Sequence, residues 1–110
     1  MAMIDISVVP VGTGKPSVSE YVAGAVRILK NEPGIKYELT AMNTIIEGDL
    51  EKLLALAQRM HRSAFDAGAK RVVTTIHIDE RRDKPLTIEG KVKAVKEDGE
   101  DTVTATLVEE

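Results

Sequence analysis

Two stretches of helical periodicity interrupt four stretches of strand-like residues, and their order limits the fold more than any short motif does. Ile4, Ile6 and Val8 alternate with Asp5 and Ser7, the period of a strand with one buried face. Pro10 has no N–H for a ladder and ends it. Ser17-Val18-Ser19-Glu20 reads as a capping box, opening a helix predicted from about Val18 to Lys30. Val18, Val22, Ala25 and Leu29 fall at helical spacing, with Tyr21 and Ile28 beside them, and Asn31-Glu32-Pro33-Gly34 stops the helix. Ile35, Tyr37 and Leu39 then alternate with Lys36, Glu38 and Thr40, and β-branched Ile45 and Ile46 suit the next strand. Asp49 is a cap for a second helix with the stripe Leu50, Leu53, Leu54, Ala57, Met60 and Ala64, extended by Phe65 and closed by Gly68. In the last strand Val72, Ile76 and Ile78 share one face, and Arg71, Val73, Thr75, His77 and Asp79 the other.

Two amphipathic helices cover only one face of a four-stranded sheet. The order strand, helix, strand, strand, helix, strand predicts an α+β fold, the ferredoxin-like βαββαβ sandwich. Right-handed crossovers then place each βαβ pair of strands on either side of a neighbour. The uncovered face is predicted to carry Asp5, Ser7, Val9, Lys36, Glu38, Thr40, Thr75 and His77. That set is too polar for a core and richer in Thr and Val than a freely solvated face. It predicts a homo-oligomer formed by sheet packing. A C-terminal helical appendage is expected from about Ile88 to Glu97, with Ile88, Val92 and Val95 inward and Gly90 weakening it. The expected domain is 1–98, with a tail at 99–110 in which Thr102 to Val108 alternates like a strand.

With 110 residues the chain suits one core, and a net charge of −3 gives no general attraction to nucleic acid or an acidic membrane. Cysteine is absent, which removes disulfides, thiolate metal sites and cysteine nucleophiles, and fits a cytoplasmic location. The start, Met-Ala-Met-Ile-Asp-Ile, is not a secretory signal. No apolar run approaches the roughly 20 residues that span a bilayer. One Phe, two Tyr and no Trp leave little on which bases could stack.

Catalytic chemistry finds few candidates. His61 and His77 lie on different elements, and there is neither a metal-spaced acid cluster nor a paired-histidine motif. An enzyme working through His77 and Glu47 is the weakest reading. Gly12-Thr13-Gly14-Lys15-Pro16-Ser17 leads into a helix, but lacks the spacing of a nucleotide-binding loop. Acylphosphatases need an arginine where this loop offers Lys15, and RNA-recognition motifs need strand aromatics beyond Tyr37. The mixed run Asp79 to Lys84 suits a solvated face or a subunit boundary.

The polar corner between the middle strands is richer. Thr40, Asn43, Thr44 and Glu47 place four hydrogen-bonding side chains within eight residues. An amide with a carboxylate matches the edge of an aminopyrimidine, whose ring nitrogen accepts and whose amine donates. The competing explanation is turn chemistry at Asn43 and Thr44, with Glu47 near the second helix's positive end.

Six segments in order resemble the thiamine-binding protein family of the YkoF-like superfamily. They are Val9-Pro10-Val11-Gly12-Thr13-Gly14, Ser17-Val18-Ser19-Glu20-Tyr21-Val22, Tyr37-Glu38-Leu39-Thr40, Ile46-Glu47-Gly48, Arg71-Val72-Val73-Thr74-Thr75 and Asp79-Glu80-Arg81-Arg82-Asp83-Lys84. The resemblance spans about residues 3 to 97; Ala41-Met42-Asn43-Thr44 departs from the Pro-Met-Gly/Ser-Thr common in the family. It implies sheet-packed dimers, usually paired into tetramers. It also implies non-enzymatic binding of thiamine or its hydroxymethylpyrimidine moiety, with no cofactor or metal. The implied ligand-binding residues are Thr13, Ser17, Thr40, Asn43, Thr44 and Glu47. A structural or regulatory homo-oligomer without a small ligand is the alternative.

Overall fold

A computed structural model describes residues 1–97. The elements are β1 (Ala2–Pro10), α1 (Ser19–Arg27), β2 (Lys36–Leu39), β3 (Thr44–Gly48), α2 (Leu50–Asp66) and β4 (Val72–Glu80). The strands form one antiparallel sheet in the order β2-β3-β1-β4. This is the ferredoxin-like arrangement, each βαβ unit straddling a neighbouring strand. The tail with its strand-like Thr102 to Val108 lies outside the described residues.

Register follows from alternation. Ile4 opposes Ile46 and Ile78, and Ile6 opposes Thr44 and Ile76, so one parity of the strands faces the helices. A slip of one residue would drive Asp5 into the core. Ile4, Ile6, Leu29, Ile46, Leu53, Leu56 and Met60 are the large side chains fully buried there. The α2 stripe runs through Leu53, Leu56, Ala57, Met60 and Ala64. Leu54 and Phe65, expected inside, are exposed, and Leu56 takes the inner position. The C-terminus of α2 is closed as predicted. Gly68, at φ +105°, donates to the Phe65 carbonyl and Ala69 donates to that of Ala64, the two bonds of a Schellman cap.

Three local expectations change. The capping box does not form: α1 starts without a side-chain cap, and Glu20 instead pairs with Lys15 at 2.8 Å. Asp49 caps α2 through its backbone carbonyl, which accepts from Leu53 N–H at 2.9 Å, not through its carboxylate. Tyr37 and Leu39 take the helix-facing parity, but their strand is a four-residue edge, and Leu39 stays 55% exposed.

A helix at 88–97 lies against the opposite face of the sheet. It is fastened at its first turn, where Leu86 is buried and Ile88 N–H donates to Glu47 Oε2 at 2.6 Å. Lys91 adds an ion pair with Asp79 at 2.6 Å. Beyond this, the expected inward packing is not made: Val92 and Val95 are 49% and 62% exposed. A gap of about 420 Å³ separates the helix from Met3, Ile45 and His77 on the sheet.

Candidate functional site

β1 is longer than its inner neighbour. Pairing with β3 ends at Ile6 opposite Thr44, whereas β1 continues to Pro10 against β4 alone. The β2–β3 hairpin turns away at this point, leaving a notch beside Ser7, Val8 and Val9. Val18 and one face of α1 close the notch from the helix side. The result is a chamber of about 190 Å³, with Val18, Val22, Ala25 and Val26 on one wall and Ile6, Val8 and Met60 at its base. Leu39, Thr40, Met42, Asn43 and Thr44 bring the hairpin to its other side.

The hairpin loop is held by one hydroxyl. Thr40 Oγ1 accepts from the N–H groups of Met42 (3.2 Å) and Asn43 (3.1 Å), and lies 2.9 Å from both the Asn43 carbonyl and Asn43 Oδ1, to either of which it donates. Thr40 N–H donates to the Asn43 carbonyl at 2.8 Å. Local side-chain bonds of this kind fix a turn without help from the core. They leave the amide NH₂ of Asn43 and the second lone pair of its oxygen for other partners. Thr40, expected on the uncovered face, therefore serves the loop and the chamber instead. Thr44 has the same parity as Ile46, so it is buried on the chamber side.

The chamber opens into a wider groove of about 790 Å³ between α1 and β2. Val18, Val22, Val26, Leu39 and Thr40 line both. Ser17, Ser19, Ala23, Arg27, Lys30 and Tyr37 complete the groove.

Of the six side chains put forward, the fold gathers three, Thr40, Asn43 and Thr44, at the chamber, and sets Ser17 in the adjoining groove beside Thr40. Thr13 lies in the preceding loop and donates to the Lys15 carbonyl at 3.1 Å. Glu47 lies on the far face of the sheet. It pairs with Met3 of β1 and stands three residues from Thr44 along β3, and an odd spacing on a strand reverses the face. There Glu47, 5% exposed, holds the start of the 88–97 helix. The apolar wall from Val18, Val22 and Val26 went unassigned in the sequence, where only the first two were read, as core. Their spacing of four is the signal for a second apolar stripe beside Ala25 and Leu29.

The histidines lie away from the chamber. His77 Nδ1 is 3.0 Å from Asp5 Oδ1 on the open face, where the two residues pair across strands. His61 Nδ1 is 2.6 Å from Thr74 Oγ1, with its ring edge-on to Phe65. His77 and Glu47 share the open face, but each is engaged with another group. Among the described residues no cluster of three His, Asp or Glu side chains is arranged to hold a metal, and no helix is long and apolar enough to cross a membrane.

A family model described as thiamine-binding protein matches residues 4–96. The chain belongs to that family. It is 49% identical over 98 residues to UPF0045 protein YqgV of Bacillus subtilis, covering 86% of this chain and 94% of the relative. The crystal structure of MJ1052 from Methanocaldococcus jannaschii superposes with a TM-score of 0.80 at 38% identity, covering 87% of this chain and 96% of that one. A Thermotoga maritima protein proposed to act in thiamine biosynthesis or salvage superposes at 0.67, with 31% identity and coverage of 84% and 96%. Family membership thus points to a small thiamine-type ligand, and the family carries no enzyme name.

Proposed function

We propose that this protein binds thiamine or its hydroxymethylpyrimidine moiety in the cytoplasm without catalysing a reaction. The observation that carries the reading is the chamber beside the hairpin. It pairs apolar walls, fit for the faces of a ring, with amide and hydroxyl groups at one end, fit for its edge. At about 190 Å³ it suits a single substituted ring, with any further group running into the groove. The Asn43 amide would donate to the ring nitrogen and accept from the exocyclic amine. Thr44 and Ser17 would add orientation, and Thr40 would hold the loop in shape. Glu47 and Thr13 have no direct part here.

Calorimetric titration with hydroxymethylpyrimidine and thiamine tests the reading. Binding with an Asn43→Ala loss of affinity is expected. Folded protein that gives no heat at millimolar ligand refutes it. A melting-temperature rise with ligand is a second readout, since a binder gains about 2.7 kcal/mol at a hundredfold excess over Kd.

A homo-oligomer is part of the proposal, on a separate observation. Val9, Val73, Val92 and Val95 are exposed on or over the open face, and β4 has no strand on its outer edge among the described residues. Nine residues of free edge and a patch of valines favour association of two sheets into a dimer, or further into a tetramer. Light scattering that finds only monomer at high concentration would remove this part and leave the ligand reading intact.

A further inference from the structure

The cleft's charge separates two kinds of occupant that its shape accepts equally. No carboxylate lines either the chamber or the groove. The charged side chains of the groove are Arg27 and Lys30. Neither is paired with a described carboxylate, whereas Lys15 pairs with Glu20, and Lys52 and Arg59 with Glu32. Glu47, the acid that would have favoured a cationic ring, is on the other side of the sheet.

We propose that the preferred ligand is the phosphate monoester of an aminopyrimidine alcohol, with its ring in the chamber and its phosphate in the groove near Arg27 and Lys30. This rests on the reading of the chamber given above and adds to it the class of ligand. A permanently cationic thiazolium group in the same groove would meet two like charges and no compensating anion. A phosphate at the C-terminal end of α1 meets two cations, with Tyr37 also in the groove lining. Hydrogen bonds to charged groups outweigh neutral ones, so the ester should gain over the free alcohol. Arg27 also sits in the last turn of α1, where a cation complements the helix dipole. That role requires no ligand, and the experiment separates it from a binding role.

Titrations would compare hydroxymethylpyrimidine, its phosphate monoester, thiamine and inorganic phosphate at low salt. The ester is expected to bind about tenfold more tightly than the alcohol. Thiamine should bind more weakly than the ester, and inorganic phosphate should compete poorly. Replacing both Arg27→Gln and Lys30→Gln should abolish the ester's advantage while the alcohol binds as before. If that variant is unstable, salt supplies the same test, since raising it to about 0.5 M should shrink the advantage of the ester alone. An ester no tighter than the alcohol, or thiamine tighter than both, would overturn the ligand class and leave the chamber reading standing. Inorganic phosphate matching the ester would also overturn it, because the ring would then contribute nothing. Failure of every pyrimidine to bind would overturn both.

Discussion

β1 shows two environments along one strand. Ile4 and Ile6 are sealed beneath α1 and α2, whereas Asp5, Ser7 and Val9, one residue away, lie on a face that the 88–97 helix only partly covers. β3 repeats the division: Thr44 and Ile46 look toward the helices, Ile45 and Glu47 away from them. The helix side holds the core and, at its rim, the chamber. The open side holds the His77–Asp5 and Lys91–Asp79 pairs, the exposed valines and the clasp on the C-terminal helix. Residues that are neighbours in sequence therefore serve different ends, and parity on a strand assigns them more firmly than proximity does.

The strongest way to break this contrast is to cut into each face in turn. Leu53→Ala, at a fully buried position, should cost about 2–5 kcal/mol in denaturant unfolding. Val73→Ala on the open face should cost less than about 0.5 kcal/mol in the isolated subunit. A larger loss that grows with protein concentration would show Val73 buried between subunits.

Glu47 sharpens the contrast next. Glu47→Ala leaves the half-buried Ile88 N–H without its charged acceptor, for a loss of about 1–3 kcal/mol that falls mainly on 86–97. Amide exchange should accelerate there, while affinity for a pyrimidine in the chamber stays within about twofold. Lost affinity with unchanged exchange would return Glu47 to the binding site.

The order of the elements, the strand parities and the glycine stop at Gly68 were all legible, because periodicity encodes which side of an element is dry. The C-terminal helix was legible as a helix, but not its loose seating, because Val92 and Val95 carry the same pattern whether the surface they meet is complete or not. In α2, Leu50, Leu53, Leu54 and Leu56 wrap more than one face, so the choice of Leu56 over Leu54 belonged to tertiary packing. At the candidate site, Thr40, Asn43 and Thr44 were legible from the concentration of hydrogen-bonding side chains at the polar corner, more than a turn requires. Glu47 was grouped with them by closeness in sequence, although its odd spacing from Thr44 already opposed a shared face. The groove's cations were invisible as a group, since Arg27 and Lys30 meet Tyr37 only through the α1–β2 packing.

Smaller effects probe each region separately. Asn43→Ala should lower affinity for hydroxymethylpyrimidine by about 1 kcal/mol, measured by calorimetry, and should leave exchange at 88–97 unaltered. In the loop leading from β4 to the C-terminal helix, Arg81 bonds Asp83 at 2.6 and 2.8 Å and holds its carboxyl down to about 2. A lowered carboxyl pKa stabilises the fold above its unfolded value, and that contribution is lost as pH falls through about 2. Arg81→Ala should return the Asp83 carboxyl toward the ordinary range in an NMR titration, with no change at the chamber.

Backbone amide shifts followed by NMR as hydroxymethylpyrimidine is added test the division of labour most directly. Saturable shifts should appear at Ser7 to Val9, at Val18 and Val22 and through Thr40 to Thr44, with Met3, Glu47, His77 and the 88–97 helix quiet. Shifts centred on the open face, with the hairpin loop unmoved, would contradict the placement of the site.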